Sequence, residues 1–296
     1  MADHFVIEGL GGKKTLKGEI RVGGAKNAIL KALAAAVLFE DEVPYENVPE
    51  IEDVKRMREL LEALKEGPIL RKDIAERMRA SIVLTGPVLA RYKEVHFPYP
   101  GGCVLGERPI DLFLEGFKAM GAIVEEREGD QFTVRAESGL TGARIAFPFI
   151  SVTATETLML ASVLAKGTTV LENAAMEPEI PSLANYLNAC GAKISGAGTS
   201  TITIEGTGLL KAQGKPYVTP PDRIEAGSFL LFGALAAEEL RITNCEPAHV
   251  GALIATLRRA GVSIDTEDST IIVRGSGSNA QYKNVSVGTH AYPGFP

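Results

Sequence analysis

A chain of 296 residues, 45% of them hydrophobic, has enough apolar surface for two modest cores. A formal net charge of −6 and the lack of a basic run exclude a nucleic-acid-binding class. The apolar runs 32–38 and 229–237 are too short to span a bilayer, and residues 1–7 lack the charged and apolar regions of a signal peptide, so a cytoplasmic protein without membrane contact is expected.

From the N-terminus, residues 5–22 alternate apolar and polar around a glycine-rich turn, a pattern that predicts a hairpin. Gly23-Gly24-Ala25-Lys26-Asn27 then leads into an Ala/Leu-rich helix over 28–38. Lys26 and Asn27 after glycines at a helix start suit an anion cradle, although the second glycine and the Ser/Thr of a P-loop are missing and a solvated lysine fits the same pattern. A strand follows at Val43–Asn47, then a helix to Leu64. The strand pair that should close this first unit has no room, because Lys65–Asp73 is too short and too polar to supply it.

Pro100–Asp111 is the least ordinary stretch. Gly101 and Gly102 deliver the backbone into Cys103, Gly106 follows, and Pro109 opens a helix carried by Ile110, Leu112, Phe113 and Phe117. Proline suits the first helical position, and Asp111 in the first turn suits the positive helix end. A cysteine on a glycine-flanked loop ahead of a helix, with Arg108 close in sequence, sits where thiolate is favoured. The plain alternative, a small buried hydrophobe, fits the other two cysteines. Cys190 precedes Gly191 where Met120 precedes Gly121 and Ala260 precedes Gly261, and Cys245 follows Asn244 as Ala174 follows Asn173. Three cysteines without close pairing also argue for a reducing compartment.

Beyond residue 112 a unit recurs: a helix, a strand, a second helix ending on glycine, and two closing strands. It is read at Phe113–Val134 in part, at Leu158–Ile204 and at Phe229–Val273. The helix-ending Gly121, Gly191 and Gly261 stand 70 residues apart, and a fixed period marks one supersecondary unit used several times.

Taken together, Gly24–Ala28, Arg79-Ala80-Ser81, Pro100–Leu112, Glu172–Ala175, Glu177–Ile180 and Asp222–Glu225 resemble the UDP-N-acetylglucosamine 1-carboxyvinyltransferases, a family of enolpyruvyl transferases, over nearly the whole chain. The related 5-enolpyruvylshikimate-3-phosphate synthases share the fold and reaction type but lack the cysteine loop. The resemblance implies an α/β fold: a two-lobed inside-out α/β barrel built from repeated units, EPSP synthase-like, three units to a lobe, helices inside and sheets outside. It implies that residues 1–20 begin the second lobe, that 21–223 form the first lobe with its first unit shortened, and that 224–296 return to an incomplete second lobe.

The implied reaction moves the enolpyruvyl group of phosphoenolpyruvate to the 3′-hydroxyl of UDP-N-acetylglucosamine and releases phosphate, the first committed step of peptidoglycan synthesis. C3 of phosphoenolpyruvate must gain a proton as the sugar oxygen attacks C2, which calls for an acid over that carbon, cations on phosphate and carboxylate, and a base for the hydroxyl. The resemblance assigns Cys103 as the acid, able also to bond to the substrate carbon. It places Lys26, Asn27 and Arg108 on phosphoenolpyruvate, and Arg79, Arg108, Pro109, Ile110, Asp111, Leu112, Ser151 and Val152 on the nucleotide sugar, with no metal and no cofactor. The sequence departs from the family in three places. It stops at Pro296, where a Thr-Asp pair carrying the base is expected; Phe149 stands where the family often has a basic residue; and the first hairpin is short or missing. An inactive remnant that only binds UDP-N-acetylglucosamine is therefore the alternative, with self-association through the incomplete lobe. A small-molecule-binding repeat protein fits the period but leaves the cysteine loop unexplained.

Overall fold

The computed structural model describes residues 4, 6–9, 11, 16–101, 110–127, 131–275 and 282–295. Along the chain the elements are β1 (Leu16–Arg21), α1 (Lys26–Ala35), β2 (Tyr45–Glu46), α2 (Glu52–Ala63), α3 (Lys72–Ala75), α4 (Thr85–Tyr92) and β3 (Glu94–Pro98). There follow α5 (Asp111–Ala119), β4 (Ile123–Arg127), β5 (Gln131–Arg135), β6 (Arg144–Ala146), α6 (Val152–Ser162), β7 (Thr168–Glu172) and α7 (Glu179–Ala189). The rest are β8 (Lys193–Ser195), β9 (Thr201–Glu205), β10 (Tyr217–Val218), α8 (Arg223–Ala236), β11 (Ala237–Thr243), α9 (Gly251–Arg259), β12 (Ser263–Glu267) and β13 (Thr270–Arg274). They sort into two compact units, a central one of Lys26–Pro220 and a terminal one of Met1–Ala25 with Pro221–Pro296. The predicted hairpin over 5–22 does not form among the described residues. Residues 6–9 are exposed coil, and β1 instead pairs in parallel with β11. A long-range partner with the right register outweighs the local alternation.

The sheets repeat one plan. In the terminal unit β11 has β1 parallel on one edge and the antiparallel β13–β12 hairpin on the other. In the central unit β7 lies likewise between β6 and the β9–β8 hairpin. A third sheet places β3 beside the β5–β4 hairpin, and Pro68–Leu70 takes the parallel edge: His96 N donates to Pro68 O and Leu70 N donates to His96 O. The fourth sheet keeps only its parallel half, β10 with β2. The missing strand pair after Leu64 is a fact of the fold.

The repeat extends to single residues. Asn47, Asn173 and Asn244 follow β2, β7 and β11 with φ of 53°, 56° and 53°. Asparagine tolerates this left-handed conformation because its side chain bonds nearby backbone. Each Nδ2 donates to a carbonyl just past the parallel partner strand: Thr219 O at 2.8 Å, Phe147 O at 2.9 Å and Val22 O at 2.7 Å. Gly121, Gly191 and Gly261 hold φ of 89°, 110° and 97°, the helix-stop geometry expected of them.

In the central unit α1 and α6 form the interior. Ala28–Ala35 and Ala154–Ser162 are buried without interruption, so neither helix has a wet face. Two glycines permit the packing around α6. A Cβ on Gly86 of α4 would stand 2.2 Å from Thr157 O, and one on Gly116 of α5 would meet Leu158 Cδ1 at 2.4 Å. No helix among the described residues is long and apolar enough to cross a membrane.

Candidate active site

The sequence-derived site residues that are described lie mostly at element starts of the central unit. Lys26 and Asn27 open α1, with Nζ of Lys26 3.1 Å from Asp53 Oδ2 on α2 and its side chain half exposed. Ser151 caps α6, its Oγ accepting from Ala154 N at 3.2 Å and its carbonyl from the Thr155 hydroxyl at 2.8 Å, and Val152 is the first helical residue. Asp111 opens α5 and is exposed, Ile110 before it is buried, and Leu112 packs on the core. Cys103, Arg108 and Pro109 lie outside the described residues.

Arg79 starts a short 3-10 helix, Arg79–Leu84, that packs against both α1 and α6. Its guanidinium donates to Pro100 O at 3.2 Å and lies over the Tyr99 ring, 5.7 Å from the centroid. Just upstream, a Cβ on Gly101 would fall 1.5 Å from Glu76 O, so only glycine allows the chain to pass there. One segment, Glu76–Leu84, thus touches the helix that begins with Lys26, the helix capped by Ser151 and the stem from which the cysteine loop departs. A cavity of about 400 Å³ lies between α5 and the β3–β5–β4 sheet, lined by Tyr99, Ile110, Asp111, Leu114, Lys118 and Phe132 among others. Tyr99 and Ile110 lie just before and after the loop.

The two reference cysteines are core. Cys190 is 7% and Cys245 3% exposed, and burial pushes both thiols above their ordinary range. No group of His, Cys, Asp and Glu suited to a metal ion occurs among the described residues.

Two polar contacts lie beyond the local sequence signal. Asp53, the partner of Lys26, sits in an ordinary amphipathic helix start. Lys31 and Glu156 form an ion pair of 3.1 Å deep in the central unit, both buried, joining α1 and α6 five residues beyond Lys26 and five beyond Ser151. Among the described residues neither Glu156 oxygen has a hydrogen bond of good geometry, so attraction between the charges is the main part of the contact. Burial pushes the Glu156 carboxyl up to about 7, against the pull of Lys31. A helix buried on every side gives no hint of where a buried charge finds its counterion.

Residues 10–296 match the family model for EPSP synthase (3-phosphoshikimate 1-carboxyvinyltransferase). The UDP-N-acetylglucosamine 1-carboxyvinyltransferase of Acidobacterium capsulatum is 44% identical over 99% of this chain and 70% of its own length. UDP-N-acetylglucosamine 1-carboxyvinyltransferase 1 of Caldanaerobacter subterraneus is 42% identical over all of this chain and 73% of its own. Among solved structures, the enolpyruvyl transferase NikO of Streptomyces tendae superposes with a TM-score of 0.72 at 21% identity, over 88% of this chain and 66% of that one. EPSP synthase of Acinetobacter baumannii gives 0.67 at 19% over 89% and 66%. These two share the α/β fold. The mixed sheets with helices between them, the repeated units and the relatives together lead to one conclusion: the chain belongs to the UDP-N-acetylglucosamine 1-carboxyvinyltransferases, a family of enolpyruvyl transferases.

Proposed function

We propose that the chain works in the cytoplasm on phosphoenolpyruvate and UDP-N-acetylglucosamine through its central unit, with Cys103 as the acid that protonates C3 and can bond to C2. The observation that carries this reading is the Glu76–Leu84 segment, which touches the helix that Lys26 opens, the helix that Ser151 caps and the stem of the cysteine loop. Lys26 supplies charge for phosphate or carboxylate, and it would exchange its half-exposed pairing with Asp53 for the ligand. Asn27 beside it adds an amide, and Arg108 is the cation nearest the thiol in sequence. Arg79 offers the nucleotide sugar a cation, Pro109 and Ile110 precede the start of α5 at Asp111 and Leu112, and Ser151 and Val152 supply the start of α6, where a diphosphate is favoured. The central unit corresponds to the family's first lobe and the terminal unit to part of the second.

The terminal unit supports self-association as the accompanying property. Ile224, Leu231, Phe232 and Leu235 on α8 are 52%, 44%, 45% and 65% exposed, and a contiguous apolar face of that kind draws a partner. The test of the chemistry is intact-mass measurement of the full chain incubated with phosphoenolpyruvate, with and without UDP-N-acetylglucosamine. A phosphoenolpyruvate-dependent adduct is expected, mapped to Cys103, lost in Cys103→Ser and reduced in Lys26→Ala. Labelling at Cys190 or Cys245, or an adduct that survives Cys103→Ser, rejects the assignment. Phosphate release that persists undiminished in Cys103→Ser would show that the cysteine is not the working acid. Binding of UDP-N-acetylglucosamine with neither adduct nor release would favour the remnant reading.

A further inference from the structure

The incomplete sheet of the central unit has a free edge with a defined chemistry. Superimposing the repeat by its asparagine corners makes Glu42, Val43, Pro44, Tyr45 and Glu46 equivalent to Glu239, Leu240, Arg241, Ile242 and Thr243 of β11. Tyr217 N donates to Pro44 O and Thr219 N to Glu46 O, so the groups of residues 44 and 46 face β10. Backbone groups alternate along a strand, which turns those of Val43 and Tyr45 the other way. Among the described residues nothing bonds to them there. In the other sheets the equivalent side is filled by an antiparallel strand. Ile271 opposes Ile242 and Val273 opposes Leu240; Phe132 opposes Phe97 and Val134 opposes Val95.

The same comparison says what kind of strand fits. In two sheets the strand that fills this position ends in an arginine opposite a glutamate on the central strand. Arg274 Nε is 2.9 Å from Glu239, and Arg135 Nε is 2.7 Å from Glu94. The equivalent of that glutamate in the incomplete sheet is Glu42; it and Glu46 are exposed, and among the described residues neither is in an ion pair. Pro44 does not block the edge, since its missing N–H belongs to the β10 side. The acidic flanks discourage edge-to-edge pairing with a second copy of this chain and complement a basic strand.

We propose that the Val43–Tyr45 edge of β2 is a docking edge for an extended, basic segment of another protein. The segment adds as an antiparallel strand, its apolar side chains facing Val43 and Tyr45 and a basic side chain facing Glu42. This is strand addition of the kind that main-chain bonds drive and side-chain pockets select. The probe is a capped peptide of this chain's own Ser269–Gly275, Ser-Thr-Ile-Ile-Val-Arg-Gly, offered to the full chain while backbone amide exchange is followed. The expected result is slower exchange at Val43 and Tyr45. Affinity should drop about fivefold to tenfold when the protein carries Glu42→Arg with Glu46→Arg, or when the peptide carries Arg274→Glu. A second arm inserts an extra copy of residues 261–274 after Glu66, which raises the strand's effective concentration. Tyr45 should then exchange slowly without added peptide. Unchanged exchange at Val43 and Tyr45 in both arms overturns the proposal. So does binding indifferent to both charge reversals, or protection that appears on concentrating the protein alone and marks self-pairing.

Discussion

Leu160 of α6 and Leu231 of α8 stand at the same point of the repeat, each thirteen residues ahead of a left-handed asparagine. Leu160 is fully buried and Leu231 is 44% exposed. The next pair, Ala161 and Phe232, repeats the contrast at 0% and 45%. Both helices mix a majority of apolar residues with a few polar ones, so composition does not separate them. What separates them is the company: α6 has α4, α5 and the Arg79–Leu84 segment around it, whereas α8 packs chiefly on the β11 and β13 strands of its own sheet. A helix written to be buried all round reports the number of neighbours its repeat expects, and the terminal unit supplies fewer of them.

The sharpest way to break this comparison is to truncate both leucines. Leu160→Ala should destabilise the central unit by about 2–5 kcal/mol, as large-to-small changes in tight cores do. Leu231→Ala should cost no more than about 0.5 kcal/mol. Denaturant unfolding of the two variants at dilutions where the chain is monomeric decides it, and equal losses there would mean that α8 is covered within the folded chain.

A smaller effect sharpens the account of α6. The folded-state pKa of Glu156 lies near 7 against an ordinary 4.5, so between those values the folded chain binds more protons than the unfolded one. Stability from this group is present below pH 4.5 and falls as pH rises through 7, by at most about 1.4 kcal/mol per pH unit. Glu156→Gln should flatten that slope, measured as the difference between variant and parent from pH 4.5 to 7. A parallel pair of pH curves would place the titration elsewhere.

The asparagine corners are common to both regions and should not tell them apart. Asn173→Ala and Asn244→Ala each lose a bond of 2.9 or 2.7 Å to a carbonyl and force alanine to positive φ. About 1–3 kcal/mol is expected in each unit. The glycine variants should recover the conformational part and leave the hydrogen-bond part. The smallest change in stability is expected for Leu231→Ser combined with Leu235→Ser, which should leave unfolding of the dilute monomer unaltered while shifting sedimentation of the concentrated chain toward the monomer. Unchanged sedimentation would remove α8 as the associating face.

Much of this was legible in the order of residues. The 70-residue recurrence of helix-stopping glycines, the core character of Cys190 and Cys245 and the missing strand pair after Leu64 all follow from patterns within one unit, where a period of 3.6 or 2 residues shows which side is buried. The cysteine loop stood out because it had no counterpart in the other units, and its motifs carried the family. The pairings were not legible. β2 finds β10 some 170 residues away, β1 abandons its local hairpin for β11, Pro68–Leu70 stands in as an edge strand, and Lys26 and Lys31 take Asp53 and Glu156 as counterions. Alternation and amphipathicity constrain what a segment buries and say nothing of which distant segment meets it. Register, counterion choice and the exposure of α8 are settled by packing between elements far apart in the chain, and only the folded arrangement holds that information.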